Sequence, residues 1–279
     1  MFHVPGFFTT LFGYERGIPY PNGHRNVVFA HRGVRTLPIP QDENSGKISS
    51  GTILYPYLRK NDGIAMSHTP STNFMGTDWR DNDPELEPLV EIFQGARYSA
   101  EHEGAPLSVT GRSDVQFGDA GGFQPHGTVW KAWAKGYKLG VQASSDHIST
   151  HISYACLLAE NGSREALLDA IRRRHSYAAT SNIITDSRLR DGSDEYLMGD
   201  DISIRNQPEL VIKITGTAPI RKVDIIRNQQ YIYSREGTGE RIEFVYRDTS
   251  LTRGEHYYYV RIIQQDGNVA WASPIWVKF

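Results

Sequence analysis

The amino-acid sequence predicts an α/β domain followed by a small antiparallel β-sandwich, and three observations carry that expectation. Up to about Asp186, short apolar runs alternate with helical patterns and polar loops. From about Asp201 the runs are β-branched or aromatic, with turn-forming stretches and no helical pattern between them. The stretch between Met198 and Pro208, MGDDISIRNQP, is polar and marks the boundary, giving domains at 1–200 and 201–279. A chain of 279 residues has room for one large domain with a smaller companion.

In the first domain, the runs 7–14, 27–30, 64–67, 90–93 and 139–143 are short, largely apolar and bounded by Gly, Asn or charged residues. Strands buried on both faces read this way. Helices are expected at 52–60, at 129–137 and at 164–175. In the second of these, Trp130, Trp133, Ala134 and Tyr137 fall on one face. The third starts after Ser163 as N-cap, with Glu165 in the first turn and Arg172, Arg173, Arg174 and His175 at its end, where cations suit the helix dipole. Strands alternating with helices imply a mainly parallel sheet, in a layer or a barrel. In the second domain the runs 210–214, 223–227, 231–234, 242–246, 257–263 and 273–277 are separated by turn-forming stretches such as Glu236-Gly237-Thr238-Gly239. Short strands at regular spacing indicate a sandwich.

Net charge is -2, without the basic stripe of a nucleic-acid binder. No apolar run reaches the ~18 residues of a membrane span. The opening segment, MFHVPGFFTTLFGYERG, lacks the basic n-region and cleavage site of a signal peptide. It reads as chain running straight into a strand, with further chain expected upstream. The chain thus reads as soluble, with its compartment open. The single cysteine, Cys156, excludes an internal disulfide and sits in an apolar stretch, as an inert buried thiol does.

Acidic and histidine side chains gather at the ends of the expected strands. Glu15 closes the first, His24 opens the second, His68 ends the third, and Asp146 with His147 ends another. In α/β folds, catalytic groups collect at the carboxyl ends of parallel strands. Two carboxylates and three imidazoles suit a first-row divalent ion such as Zn, Mn or Fe. Glu15 pairing with Arg16 or Arg25, and Asp146-His147 as a helix cap, are the purely structural alternatives.

The segments Phe12-Gly13-Tyr14-Glu15, Gly23-His24-Arg25-Asn26-Val27, Ser67-His68-Thr69, Val90-Glu91-Ile92 and Ser144-Ser145-Asp146-His147 resemble, in order, motifs of the PHP (polymerase and histidinol phosphatase) superfamily. Arg173-Arg174-His175-Ser176-Tyr177, Gly216-Thr217-Ala218-Pro219 and Ala270-Trp271-Ala272-Ser273-Pro274 resemble a branch of uncharacterised bacterial PHP-like proteins with a C-terminal β-sandwich. The resemblance implies an incomplete or distorted PHP-type (TIM-like) barrel holding one to three divalent ions. It places Glu15 as bridging carboxylate, His24, His68, Asp146 and His147 as further ligands, and a metal-bound hydroxide as attacker of a phosphoester.

Two features depart from that pattern: no His-x-His motif precedes Glu15, and Asp146 and His147 are adjacent rather than one residue apart. Adjacent strand residues point to opposite faces, so both reach one site only if the chain bends there. His151 is the candidate proton donor or hydrogen-bond partner of a metal ligand, and Arg25, Arg80 and Arg97 are candidates for gripping a small anionic substrate. The 104–127 loop offers Asp114 and His126, and the Thr77-Asp78-Trp79-Arg80-Asp81 loop follows the His68 strand end. The leading expectation is a metal-dependent hydrolase of phosphoesters. The alternative is a non-catalytic module whose aromatics, Tyr257, Tyr258, Tyr259, Trp271 and Trp276, either bind a saccharide or a partner chain or form the sandwich core.

Overall fold

The computed structural model describes residues 3–4, 6–95, 98–108, 122–147 and 151–279. The chain forms two compact units, one comprising Met1–Leu139 with Leu157–Arg172, the other Gly140–Cys156 with Arg173–Phe279.

The first unit holds β1 (Phe12–Arg16), β2 (Arg25–Phe29), α1 (Gln41–Asn44), α2 (Ser50–Lys60), β3 (Gly63–Ser67), β4 (Leu89–Gln94), α3 (Val129–Ala134) and α4 (Arg164–Arg172). Its strands lie in the order β1-β2-β3-β4. Alternation along β2 sends Val27 and Phe29 to one face, where they meet Leu54 and Leu58 of α2. On the opposite face Ile64 and Leu89 pack with Leu168 and Ile171 of α4. The sheet is therefore covered by one helix on each side.

Both covering helices begin on serine caps. The Ser49 hydroxyl accepts from Gly51 N–H and the Ser163 hydroxyl from Ala166 N–H, each satisfying a donor that the first helical turn leaves open. α3 stops at Ala134, with Lys135 as its C-cap and Gly136 at a positive φ of 83°, so Tyr137 falls outside it. α4 stops at Arg172, because Arg174 takes a φ of 62° and the chain enters a strand at Ser176.

The expectation of an α/β, PHP-type (TIM-like) barrel is corrected. Strand residues far outnumber helical ones, 39% against 13%, and β1 with β2 and β2 with β3 pair antiparallel. In the first unit β3 and β4 run parallel. The reason lies partly in chain length: eight residues, 17–24, link β1 to β2. A parallel crossover needs about a dozen residues or more.

The second unit holds β5 (Gly140–Ser144), β6 (Tyr154–Leu157), β7 (Ser176–Ala179), β8 (Ile184–Asp191), β9 (Asp194–Leu197), β10 (Asp201–Ser203), β11 (Glu209–Thr215), β12 (Ile220–Arg227), β13 (Gln230–Glu236), β14 (Arg241–Arg247), β15 (Glu255–Gln264), β16 (Val269–Ala272) and β17 (Ile275–Lys278). One sheet runs β10-β17-β15-β16-β7-β6, with β12 paired to β15 and β13 to β12; a second runs β14-β11-β8-β9. Tyr233 of the first sheet stacks on Tyr246 and packs against Phe244 of the second. Tyr257, Tyr258, Tyr259, Trp271 and Trp276 are all buried. They are core residues, not a saccharide-binding face. No helix among the described residues is long and apolar enough to cross a membrane.

Buried charge in this unit is paired. Asp224 accepts from Ser234 and Arg261 at 2.6 and 2.9 Å and meets the Lys222 ammonium at 2.9 Å. Burial pushes its carboxyl up, but these partners outweigh burial and hold it below its usual value. A carboxylate with a depressed folded pKa stabilises above its unfolded pKa, and that contribution is lost as pH falls below about 4. The wild-type melting temperature should therefore fall more steeply than that of Asp224→Asn between about pH 5 and 2, as calorimetry would read. Parallel curves would contradict the assignment.

Candidate functional site

Antiparallel pairing brings three of the expected site residues to one end of the first unit's sheet. In register, Arg16 of β1 faces Arg25 of β2, which faces Ser67 of β3. The end of β1, the start of β2 and the end of β3 therefore coincide, and with them Glu15, His24 and His68. The backbone extends this ladder by one bond, His68 N–H to His24 C=O at 3.0 Å. Gly23 makes the approach to His24 feasible: its φ is 85°, and a Cβ there would stand 2.8 Å from the Gly76 carbonyl oxygen.

The side chains form a continuous row. His24 Nδ1 lies 2.6 Å from Glu15 Oε1, and the same oxygen is 3.7 Å from His68 Nε2. On the other side of that ring, His68 Nδ1 is 3.0 Å from Glu91 Oε1. The Glu91 carboxylate is fully buried and also accepts the Thr69 N–H at 3.1 Å. That second bond accompanies a φ of 42° at Thr69, unusual for a β-branched residue and of the kind found at functional sites. The two imidazoles stack with centroids 6.2 Å apart, and Phe74, more than half exposed, lies edge-on to His24 at 6.1 Å. Glu15 remains partly open to solvent while His68 is buried, so the row runs from the surface inward.

Glu91, in Val90-Glu91-Ile92, is a site residue beyond those expected from the sequence. Its signal was there: a lone carboxylate within LVEIFQ, a strand buried at every position. A buried acid in such a strand requires a partner.

Asp146 and His147 follow β5 in the second unit, at a turn where Asp146 has a φ of 52°. They lie 3.4 Å from each other, and the His147 ring is largely exposed. His151 is exposed, and its carbonyl accepts from the Tyr154 hydroxyl. His126 is exposed as well. Arg97 and Asp114 lie outside the described residues.

Neither described arginine is free for an anion. Arg25 is buried against Glu87 and Asp81, at 3.2 and 3.4 Å. Arg80 grips Asp78 through two bonds of 3.0 and 2.9 Å and donates to the Gly46 carbonyl. Trp79 between them is buried, with its indole N–H on the Thr128 carbonyl at 3.0 Å, so this loop is structural. Partial burial raises the Cys156 thiol above its ordinary pKa, against a hydrogen bond with Tyr177 that lowers it.

The expected metal-binding site is also corrected. Among the described residues, no group of three or more His, Cys, Asp or Glu side chains could hold a metal ion. Contact geometry supplies a reason. Two ligands of one tetrahedral ion, with bonds of ~2.1 Å, stand about 3.4 Å apart. Glu15 and His24 close to 2.6 Å, a direct hydrogen bond. In this arrangement these groups bond to one another.

No family model matches the chain, and no solved structure does. Similar proteins occur in Chlamydia. One from Chlamydia trachomatis serovar D is 27% identical, in a match covering 80% of this chain and 40% of that protein. One from Chlamydia muridarum is 26% identical with the same coverages, and one from Chlamydia pneumoniae is 24% identical, covering 97% of this chain and 46% of its own length. All three are described as uncharacterised proteins, and the chain spans less than half the length of each.

Proposed function

We propose that the first unit carries a hydrolytic centre in which His68 is the general base. The observation that supports this most is the Glu91–His68 pair. A fully buried carboxylate 3.0 Å from Nδ1 keeps the ring proton on that nitrogen and leaves Nε2 as the basic atom. Nε2 faces the Glu15 carboxylate at 3.7 Å, across a gap that a water molecule or substrate hydroxyl bridges by a small displacement of either side chain. In this reading Nε2 takes the proton of the attacking water, and Glu91 stabilises the imidazolium that forms. His24, held by Glu15 at 2.6 Å beside the half-exposed Phe74, then protonates the leaving oxygen.

The test is turnover of p-nitrophenyl phosphate, bis-p-nitrophenyl phosphate and p-nitrophenyl acetate, each with and without added Zn or Mn. The expected result is hydrolysis above buffer of at least one ester, lost in His68→Asn. Hydrolysis unchanged in that variant would sink the assignment. Hydrolysis that depends on added metal would replace the metal-free mechanism by a metal-assisted one.

A further inference from the structure

A second polar site lies in the second unit, remote in sequence from the Glu15–His68 row. Across its four-stranded sheet, register places Arg247 of β14 opposite Glu209 of β11, Glu209 opposite Arg190 of β8, and Arg190 opposite Glu195 of β9. Residues directly opposite share a face, so this is an alternating row of charge. Its bonds are unevenly distributed. Arg190 binds Glu195 at 2.9 Å and reaches Glu209 at 3.5 Å. Arg247, at the edge of the sheet, has no hydrogen-bond or ion-pair partner for its guanidinium among the described residues.

A cavity of about 220 Å³ opens beside this row, lined by Arg190, Asn206, Gln207, Glu209 and Arg247 together with Gly192. Its amide side chains are fixed with their oxygens uncommitted. Asn206 gives its backbone N–H and its side-chain N–H to Asp191 at 2.9 and 2.8 Å, leaving Oδ1 as an acceptor. Gln207 donates its side-chain N–H to the Leu251 carbonyl at 3.1 Å, and its Oε1 is buried with no partner.

The cavity thus presents one uncommitted cation beside the Asn206 Oδ1 acceptor. Its volume is below the ~300 Å³ at which pockets for drug-sized molecules begin, so the occupant is small. A dianion such as phosphate would face the Glu209 carboxylate, whereas a monoanion bearing hydroxyls complements both halves of the lining. We propose that this cavity binds a small hydroxylated carboxylate of the sugar-acid class, with its carboxylate on Arg247 and a hydroxyl donating to Asn206 Oδ1.

The experiment is an NMR titration of the full chain with D-glucuronate, D-glucose and inorganic phosphate, following the backbone amides of Arg190, Asn206 and Arg247. Glucuronate should give saturable shifts at these positions. Arg247→Gln, an edge-strand change on an exposed side chain, should weaken it by about tenfold or more, through loss of a charge-assisted bidentate contact. Glucose, without the carboxylate, should bind the wild type as weakly as glucuronate binds that variant. Absence of saturable shifts, equal affinity for phosphate, or an unchanged affinity in Arg247→Gln overturns the proposal. Each outcome is independent of hydrolysis at His68.

Discussion

Replacing Glu87 by alanine is expected to destabilise the protein by about 3–5 kcal/mol, the usual cost of removing one partner from a buried ion pair. Glu87 and Arg25 are each 1% exposed. The carboxylate accepts from Ser67 at 2.6 Å, Tyr55 at 2.9 Å and the Arg25 guanidinium at 3.2 Å. Burial alone would lower the Arg25 pKa, but Glu87, Tyr55 and Asp81 outweigh burial and hold it raised. Without Glu87 the buried guanidinium keeps the Gly23 carbonyl at 3.1 Å, the Asn22 carbonyl, and Asp81 at 3.4 Å. Typical domains are stable by about 5–15 kcal/mol, so the loss consumes a large share. The check is urea unfolding, read as a shift in midpoint at constant slope. Arg25→Leu combined with Glu87→Leu should recover part of the loss, since no uncompensated charge remains. A loss below about 1 kcal/mol for Glu87→Ala would show the pair to be dispensable.

His68→Asn should lower hydrolysis of any ester that is turned over by about 10²–10⁴-fold, the span attributable to a positioned general base. Glu91→Gln should fall between wild type and His68→Asn, because an amide oxygen accepts the Nδ1 proton but does not stabilise an imidazolium. The pH profile separates this from a structural effect. Activity limited by a free imidazole rises with pH through the His68 pKa, and Glu91→Gln should move that limb to lower pH, since the carboxylate favours the protonated ring. A variant that merely loosens the fold would lower activity at every pH without moving the limb.

Much of the strand content was legible because the apolar runs are short and sharply bounded. The runs at 27–30, 64–67 and 90–93 became β2, β3 and β4 within a residue or two. Their direction was not legible. Burial on both faces suggested parallel strands, yet α2 and α4, one per face, bury an antiparallel arrangement equally well. The eight-residue 17–24 link is the sequence feature that sets the direction of β2 against β1. β8 (Ile184–Asp191) escaped notice for another reason: its inward positions are Thr185, Ser187 and Leu189, so small polar residues hide the period of two.

The site was legible in the same uneven way. Glu15, His24 and His68 are recognisable as strand-end groups, and antiparallel register, not the carboxyl ends of parallel strands, joins them. Glu91 was passed over because it sits inside a strand rather than at its end. Arg25 looked like an anion-binding residue until its burial beside Glu87 was known, and burial of a charge depends on contacts distant in sequence. Asp146 and His147 suggested a metal motif by type and by their place at a strand end, features that a turn of the second unit also satisfies.

The orientation of the His68 ring is the central claim, and its tautomer tests that claim most directly. Nitrogen-15 NMR of the imidazole side chains, at a pH where His68 is neutral, distinguishes a ring protonated at Nδ1 from one protonated at Nε2. The Glu91 carboxylate 3.0 Å from Nδ1 predicts the proton on Nδ1 and a bare Nε2. A neutral His68 protonated at Nε2 would contradict the account, since no basic nitrogen would then face Glu15.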